Sequence, residues 1–313
     1  MRVTDYLSKA ELEYFRSASD LHAVWQVAVN YALIVGAFVL FGIWPNPVTA
    51  LIGAALLAGR ILGLGILMHD AAHRSLFTNP DVNRHVARWL LAGPVLGDAE
   101  SYRRGHLLHH KQAGTEKDPD LAFVRAYPVP RASIRRKFFR DLTGRTGFRD
   151  LLYVVSQSTI ENRLPSIVWH AAVLGALTLA GMWYAYPLFW VGYLFIYPAF
   201  MRMRVMGEHG NVENILDRDP RNNTRTTLAG PLARLFIAPN FVNFHCEHHM
   251  LANVPGPKLP RLHKMLSERG FYKDHPWAVE PSYRAVLNRC TGERADRVVF
   301  AASNGAASME NMS

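Results

Sequence analysis

The chain has 313 residues, is half apolar and carries a formal charge of +10, a size for one or two domains. Its two cysteines, Cys246 and Cys290, form no CxxC pair, which excludes a disulfide framework and an iron–sulfur ligand set. No nucleic-acid motif accompanies the basic charge, which suits a face turned to anionic lipid headgroups or to an acidic partner protein.

In chain order, residues 1–20 read as an amphipathic lead-in, with Tyr6, Leu7, Leu12, Tyr14 and Phe15 available to a membrane interface. Apolar runs follow at 21–44, 48–68, 167–184 and 188–206, each long enough to cross, as a helix, a hydrocarbon core roughly 30 Å thick. Pro45, Asn46 and Pro47 join the first two runs, and Ala185, Tyr186 and Pro187 join the last two. Such short, uncharged turns predict two tight helical hairpins, whereas the core helices of a soluble protein do not require them. The acidic residues Asp5, Glu11, Glu13 and Asp20 precede the first run, as expected of a retained span rather than a cleaved signal peptide.

Lys and Arg exceed Asp and Glu between Met68 and Ile167 and again after Met206. The positive-inside rule therefore assigns both segments, and both termini, to the cytoplasm. The expected fold is an all-α integral membrane protein: four transmembrane helices in two hairpins under a cytosolic helical cap, one domain over 21–300. Residues 301–313 are expected as a disordered tail. The run at 86–96 is broken by Gly93 and Pro94 and is too short to span, so it reads as re-entrant or surface-lying. RASIRRKFFR at 131–140 suits a short helix lying flat in the headgroups or, equally, a solvated basic loop. Arg60 lies inside the second run and is expected to snorkel to the cytosol rather than hold a polar headgroup within the bundle. Arg202 and Arg204 suit the cytoplasmic end of the fourth run.

Eight of the fourteen histidines fall in three clusters: His69 and His73 in HDAAH, His106, His109 and His110 in HLLHH, and His245, His248 and His249 in HCEHH. On helices, spacings of three and four place the imidazoles of each cluster on one face, able to reach a common point. The topology delivers all three clusters to one side of the membrane, where protonated imidazoles repel and metals relieve that repulsion. Eight ligands exceed the needs of one ion, so a dinuclear centre with about four imidazoles per ion is expected. Imidazole donors alone leave zinc, copper, iron and nickel open. Scattered histidines (His22, His85, His170, His263 and His275) read as packing or hydrogen-bonding residues. Asp70, Asp118, Asp120, Glu208 and Glu247 are candidates to orient the ligand rings; each also suits a solvated acid or a turn residue.

The three clusters, in this order and with hydrophobic hairpins between them, resemble the histidine boxes of the membrane fatty acid desaturase superfamily. Its wider relatives are alkane hydroxylases and carotenoid ketolases and hydroxylases. The first box departs from the commoner HECGH by carrying Asp70, Ala71 and Ala72, with both histidines kept. The resemblance implies two iron ions, O2 as co-substrate, and His69, His73, His106, His109, His110, His245, His248 and His249 as ligands. It adds His209, in GEHGN after the last apolar run, as a ninth. It also implies a membrane acyl-chain or lipid substrate and electrons from a separate ferredoxin, rubredoxin or cytochrome b5 with its reductase, since the chain has no cytochrome domain and no Gly-rich nucleotide fingerprint.

The expected activity is therefore desaturation of an acyl lipid at the inner, cytoplasmic membrane, with the active site in the cytosol. Hydroxylation or ketone formation on a hydrocarbon, lipid or carotenoid is the alternative on the same scaffold. A non-redox zinc protein or metal carrier is the remaining class; the few polar residues in the apolar runs mark no ion path.

Overall fold

The computed structural model describes residues 3–157 and 159–292; the tail expected at 301–313 lies outside the described residues. The chain is mostly helical. Ser8 opens α1 (Lys9–Arg16) with a reciprocal cap, its hydroxyl accepting from the Glu11 amide while the Glu11 carboxylate accepts from the Ser8 amide. α2 (Asp20–Ile43) and α3 (Pro47–Ala72) have 24 and 26 residues and mean hydropathies of 2.0 and 2.1. Among the described residues, these two helices are long and apolar enough to cross a membrane. Between them the Asn46 side chain accepts from the amides of Val48 and Thr49, and Pro47 takes the first helical position, where no amide hydrogen is needed.

α3 is the central helix: 72% of its apolar window is buried, against 28% for α2, whose Leu21, Trp25 and Val35 face outward. The two helices approach closely at Gly63, where a Cβ would lie 2.3 Å from Asn30 Oδ1. Arg60 does not snorkel as expected. It is 4% exposed, its Nη1 donates to Asn30 Oδ1 at 3.0 Å, and its Nη2 donates to the carbonyl of Leu235. Asn30 of α2 and the short helix Pro231–Phe236, which carries Leu235, thus offer the guanidinium polar partners inside the protein, which removes the need to reach water.

α4 (Pro80–Val86) runs into a π-turn at Ala87–Ala92. The apolar stretch at 86–96 is therefore a short helical element that buries Leu91 and Ala92 against the core around α3. α5 (Ala99–Gln112) and α6 (Leu121–Val124) follow, then α7 (Arg131–Leu142) and α8 (Arg145–Gln157). RASIRRKFFR is thus helical. α9 (Ile160–Leu179) starts earlier and ends earlier than the run expected at 167–184, and Glu161, Arg163 and Pro165 in its opening turns make it less apolar than α2 or α3. The run expected at 188–206 is one helical path from α10 (Pro187–Val191) through a π-turn at Gly192–Ile196 to α11 (Tyr197–His209).

The remaining helices are α12 (Pro220–Asn223), α13 (Pro231–Phe236), α14 (His245–Met250), α15 (Leu259–Glu268) and α16 (Tyr283–Arg289). Among the described residues, one parallel ladder interrupts the helical pattern, β1 (Thr226–Thr227) beside β2 (Val279–Glu280), with Thr226 opposite Val279 and Thr227 opposite Glu280. Part of the lead-in packs inside the protein, while Tyr14 stays 44% exposed. Leu7 and Phe15 are buried with Phe244, Leu262, Leu266 and Phe271, and Arg269 pairs with Glu11 at 2.6 Å. Each such fully buried apolar side chain contributes about 1.5–3 kcal/mol, so the first residues help to hold the region that carries the third histidine cluster.

Candidate metal centre

Three elements present the clustered histidines. His69 lies in the last turn of α3 and His73 caps it. α5 starts at Asp98, whose carboxylate accepts from the amides of Glu100 and Ser101, and it carries His106, His109 and His110. α14 is six residues long and supplies His245, His248 and His249. Its anchor is Glu247, fully buried, whose carboxylate accepts from the Thr226 and Tyr272 hydroxyls and faces His263 Nδ1.

The nine histidines, His209 included, converge on two points. His69, His73, His106, His110 and His248 form one group and His109, His209, His245 and His249 the other, with the potential ligand atoms of each group within 4.8 Å of one another. This division corrects the expectation that each cluster shares one point. Neighbouring helix residues diverge by about 100°, so His109 and His110 serve different groups, as do His248 and His249. α5 and α14 therefore each straddle both groups, and α3 serves one.

All the short contacts run between Nε2 atoms. His69 meets His248 at 2.9 Å, His73 meets His106 at 2.8 Å, and His110 meets His106 and His248 at 3.1 and 2.9 Å. In the second group His209 meets His245 at 2.9 Å and His109 meets His249 at 3.3 Å. Metal–imidazole bonds of about 2.0–2.1 Å put neighbouring ligand nitrogens roughly 2.9 Å apart and opposite ones roughly 4.1 Å apart. The observed spacings fit two groups that could each hold an ion.

The far side of the rings supports the same fit. His69 Nδ1 lies 3.0 Å from Asp70 Oδ1, His109 Nδ1 lies 2.8 Å from Asp118 Oδ1, and His209 Nδ1 lies 3.0 Å from the carbonyl of Asn223. Each of these acceptors calls for a hydrogen on Nδ1, which leaves a lone pair on Nε2. In each pair this leaves one Nε2 without a hydrogen, facing the Nε2 of His248, His249 or His245 at 2.9–3.3 Å, a gap that either a shared hydrogen or a cation held between the rings would fill. Charge favours the neutral, ligating form too. Burial, then the neighbouring His73, push His110 down to about 2, and burial likewise pushes His106, His245, His248 and His249 below the usual imidazole range. His109 goes the other way: burial disfavours its charge, but the hydrogen bond and charge of Asp118, with Asp120, raise it.

The five expected orienting acids behave differently. Asp70 and Asp118 contact their rings directly. Asp120 lies 3.6 Å from His109 Nδ1, and Glu208 lies 3.8 Å from His245 Nδ1 while it accepts from Arg204 Nε at 2.7 Å. Glu247 touches none of the nine histidines; it sits with His263, Tyr272 and Thr226 and acts on the backbone of α14. The Asn223 carbonyl behind His209 had no sequence signal, because a backbone acceptor leaves none. Tyr102, stacked on His106 with ring centroids 5.5 Å apart and planes 10° apart, has a helical signal, one turn ahead of that clustered histidine. Of the scattered histidines, His263 alone lies beside the centre's supports; His170 pairs with the Tyr186 hydroxyl and His275 with Asn222.

Comparison with known proteins agrees with this geometry. The model of the family described as fatty acid desaturase matches residues 43–282, an interval that contains all nine histidines. The chain is 26% identical over 291 residues to a dihydrorhizobitoxine desaturase of Bradyrhizobium elkanii, covering 84% of this chain and 80% of that protein. It is 29% identical over 233 residues to a beta-carotene ketolase of Paracoccus sp. (strain PC1), covering 70% and 81%. A second beta-carotene ketolase, of Paracoccus sp. (strain N81106 / MBIC 01143), is 29% identical over 242 residues, covering 75% and 87%. With a family match over most of its length and relatives that are oxidoreductases of the same kind, the chain belongs to the fatty acid desaturase family and is a desaturase-like oxidoreductase.

Proposed function

We propose that the protein is a membrane-bound, O2-dependent di-iron desaturase that introduces a carbon–carbon double bond into the acyl chain of a lipid. The observation that carries this reading is the pair of converging Nε2 groups, five donors and four. All nine histidines are assigned as ligands, with iron as the metal because dioxygen chemistry needs a redox ion and zinc has none. Bound there, two irons would supply activation of dioxygen and removal of hydrogen from an unactivated methylene. One O2 becomes two waters by taking two hydrogen atoms, that is two electrons and two protons, from the –CH2–CH2– unit, two electrons from a separate ferredoxin, rubredoxin or cytochrome b5 type donor, and two protons from solvent.

The chain's own contribution is positional. Asp70, Asp118 and the Asn223 carbonyl fix the rings of His69, His109 and His209, and Glu247 fixes α14. The four-span, two-hairpin topology, a single domain over 21–300, and a cytosolic cap at the inner membrane belong to the same proposal. Two features support it: α2 and α3 have the composition of spans, and α9 exposes Ile160, Leu164, Ile167 and Leu179, 80%, 45%, 56% and 92% accessible, as a lipid-facing helix does.

A second reading, a hydroxylase or ketolase acting on a hydrocarbon, lipid or carotenoid, is favoured by the two relatives named beta-carotene ketolase. Mass spectrometry of lipids and pigments from an expressing host separates the two. Loss of two hydrogens marks desaturation, gain of one oxygen marks hydroxylation, and gain of one oxygen with loss of two hydrogens marks a ketone. Absence of any oxidised product when iron, O2 and a donor system are supplied would overturn both.

A further inference from the structure

We propose that α7 and α8 form a binding site for the headgroup of an anionic phospholipid, apart from the metal centre. A surface cavity of about 660 Å³ is lined by Arg135, Arg136, Lys137, Arg140 and Arg145, with Ser133 and Phe139. That volume lies within the range of pockets that take small ligands, roughly 300–1,000 Å³. The only carboxylates on these two helices do not neutralise it. Asp141 is buried and takes Arg202 Nε and Nη2 at 2.5 and 2.8 Å and the Thr146 hydroxyl at 2.7 Å. Asp150 takes Arg149. Five cations therefore gather around one hollow, a pattern that costs self-repulsion unless an anion sits there.

What distinguishes a bilayer from an acidic protein as the occupant is the apolar surface interleaved with the charge. Phe139 and Leu142 on α7 are 60% and 55% exposed, and Phe148, Leu152 and Tyr153 on α8 are 49%, 69% and 67% exposed. Arg145, Phe148 and Leu152 follow one another at helical spacing, so a cavity cation heads a lipid-facing stripe. The stripe joins the helical run 187–209. Phe148 packs edge-on to Phe195, and a Cβ at Gly147 would strike the backbone of Leu194 at 2.2 Å, so α8 lies directly on that run. Rings dipping into acyl chains beside guanidiniums at phosphate level is the arrangement an amphipathic interfacial pair adopts.

The site rests on the membrane placement proposed above, and its test separates the two. Full-length protein in detergent is titrated with phosphatidylglycerol and with phosphatidylcholine, and retained lipid is read by native mass spectrometry. Phosphatidylglycerol is expected to be retained preferentially. The Arg136→Gln/Arg140→Gln variant is expected to lose retention roughly 30-fold, a factor of about five for each cation at an anionic surface. Arg84→Gln/Lys264→Gln, the same charge change at exposed positions elsewhere, is expected to leave it unchanged, as is inorganic phosphate added in excess. Equal retention of both lipids, displacement by inorganic phosphate, or loss in the control variant overturns the site. So does an Arg136→Gln/Arg140→Gln variant that keeps its lipid but loses affinity for an acidic electron donor. Failure of the membrane reading shows separately, as release of the protein from membranes by alkaline carbonate.

Discussion

Replacing Asp118 by Asn removes one charge and little else. The side chain keeps its shape and an oxygen to receive the His109 Nδ1 hydrogen, now across 2.8 Å, and the Asp120 amide across 2.9 Å. Because the Asp118 side chain is 9% exposed, its interaction with the ring is little screened, and hydrogen bonds to charged groups contribute about 1.5–3 kcal/mol. Changing such a partner typically costs 10- to 100-fold in metal affinity, about 1.4–2.7 kcal/mol. The loss belongs to one ion only, since His109 sits with His209, His245 and His249 and not with the other five. Iron titration of purified protein, with metal content read by mass spectrometry, is therefore expected to show one site weakened 10- to 100-fold and the other unchanged. Asp70→Asn, behind His69, is expected to weaken the other site. Unaltered affinity in both variants, or the same site weakened by both, would refute the division of the histidines into two groups.

Three further outcomes follow from the geometry. Gly147→Ala is expected to destabilise the protein by about 1–3 kcal/mol or more, because the new methyl meets the Leu194 backbone, which cannot rotate away; a thermal melt in detergent checks it. Glu247→Ala removes the acceptor of the Thr226 and Tyr272 hydroxyls and is expected to cost roughly 3–4 kcal/mol and lower iron content, whereas Glu247→Gln is expected to lose less, both read by melting and metal analysis. In metal-free protein, His106, His110, His245, His248 and His249 have folded pKa values below the ordinary 6.5, so the unfolded chain binds more protons as pH drops past 6.5. Stability is expected to fall with acid from that point by up to about 1.4 kcal/mol per pH unit for each such histidine. His109, raised instead, contributes stability below 6.5 that is lost as pH rises through its folded value, and so offsets part of the slope. Chemical denaturation across pH 5–8 checks the sign.

The histidine clusters were legible because helical ligand spacing is a local pattern, and Asp70 and Asp118 were legible because each lies within nine residues of the ring it touches. Two groups of about four were expected, but which histidine joins which group was not legible. A cluster seen as one helix face hides the turn of about 100° between adjacent residues that sends His109 and His110 to different groups. Glu247 looked like a ring partner from its place in HCEHH, but the same rotation turns it away from the ligands and toward α15 and Tyr272. His209 came from the family resemblance rather than from spacing, and only the fold brings it 2.9 Å from His245. Arg60 was misjudged because its partner, the Leu235 carbonyl, is 175 residues away. The π-turns at Ala87–Ala92 and Gly192–Ile196 had no local signal: at Gly192 a Cβ would lie 2.6 Å from the Ala54 carbonyl, a close approach set by packing between distant segments.

X-ray absorption at the iron edge of purified, iron-loaded protein tests the central claim most directly, together with the iron count. Two irons per chain are expected, each with a protein ligand shell made of nitrogen at imidazole distances and with the outer-shell scattering of several imidazole rings. A count near one, zinc in place of iron, or a shell containing sulfur from Cys246 or dominated by carboxylate oxygen would contradict the assignment of these nine histidines to a di-iron centre.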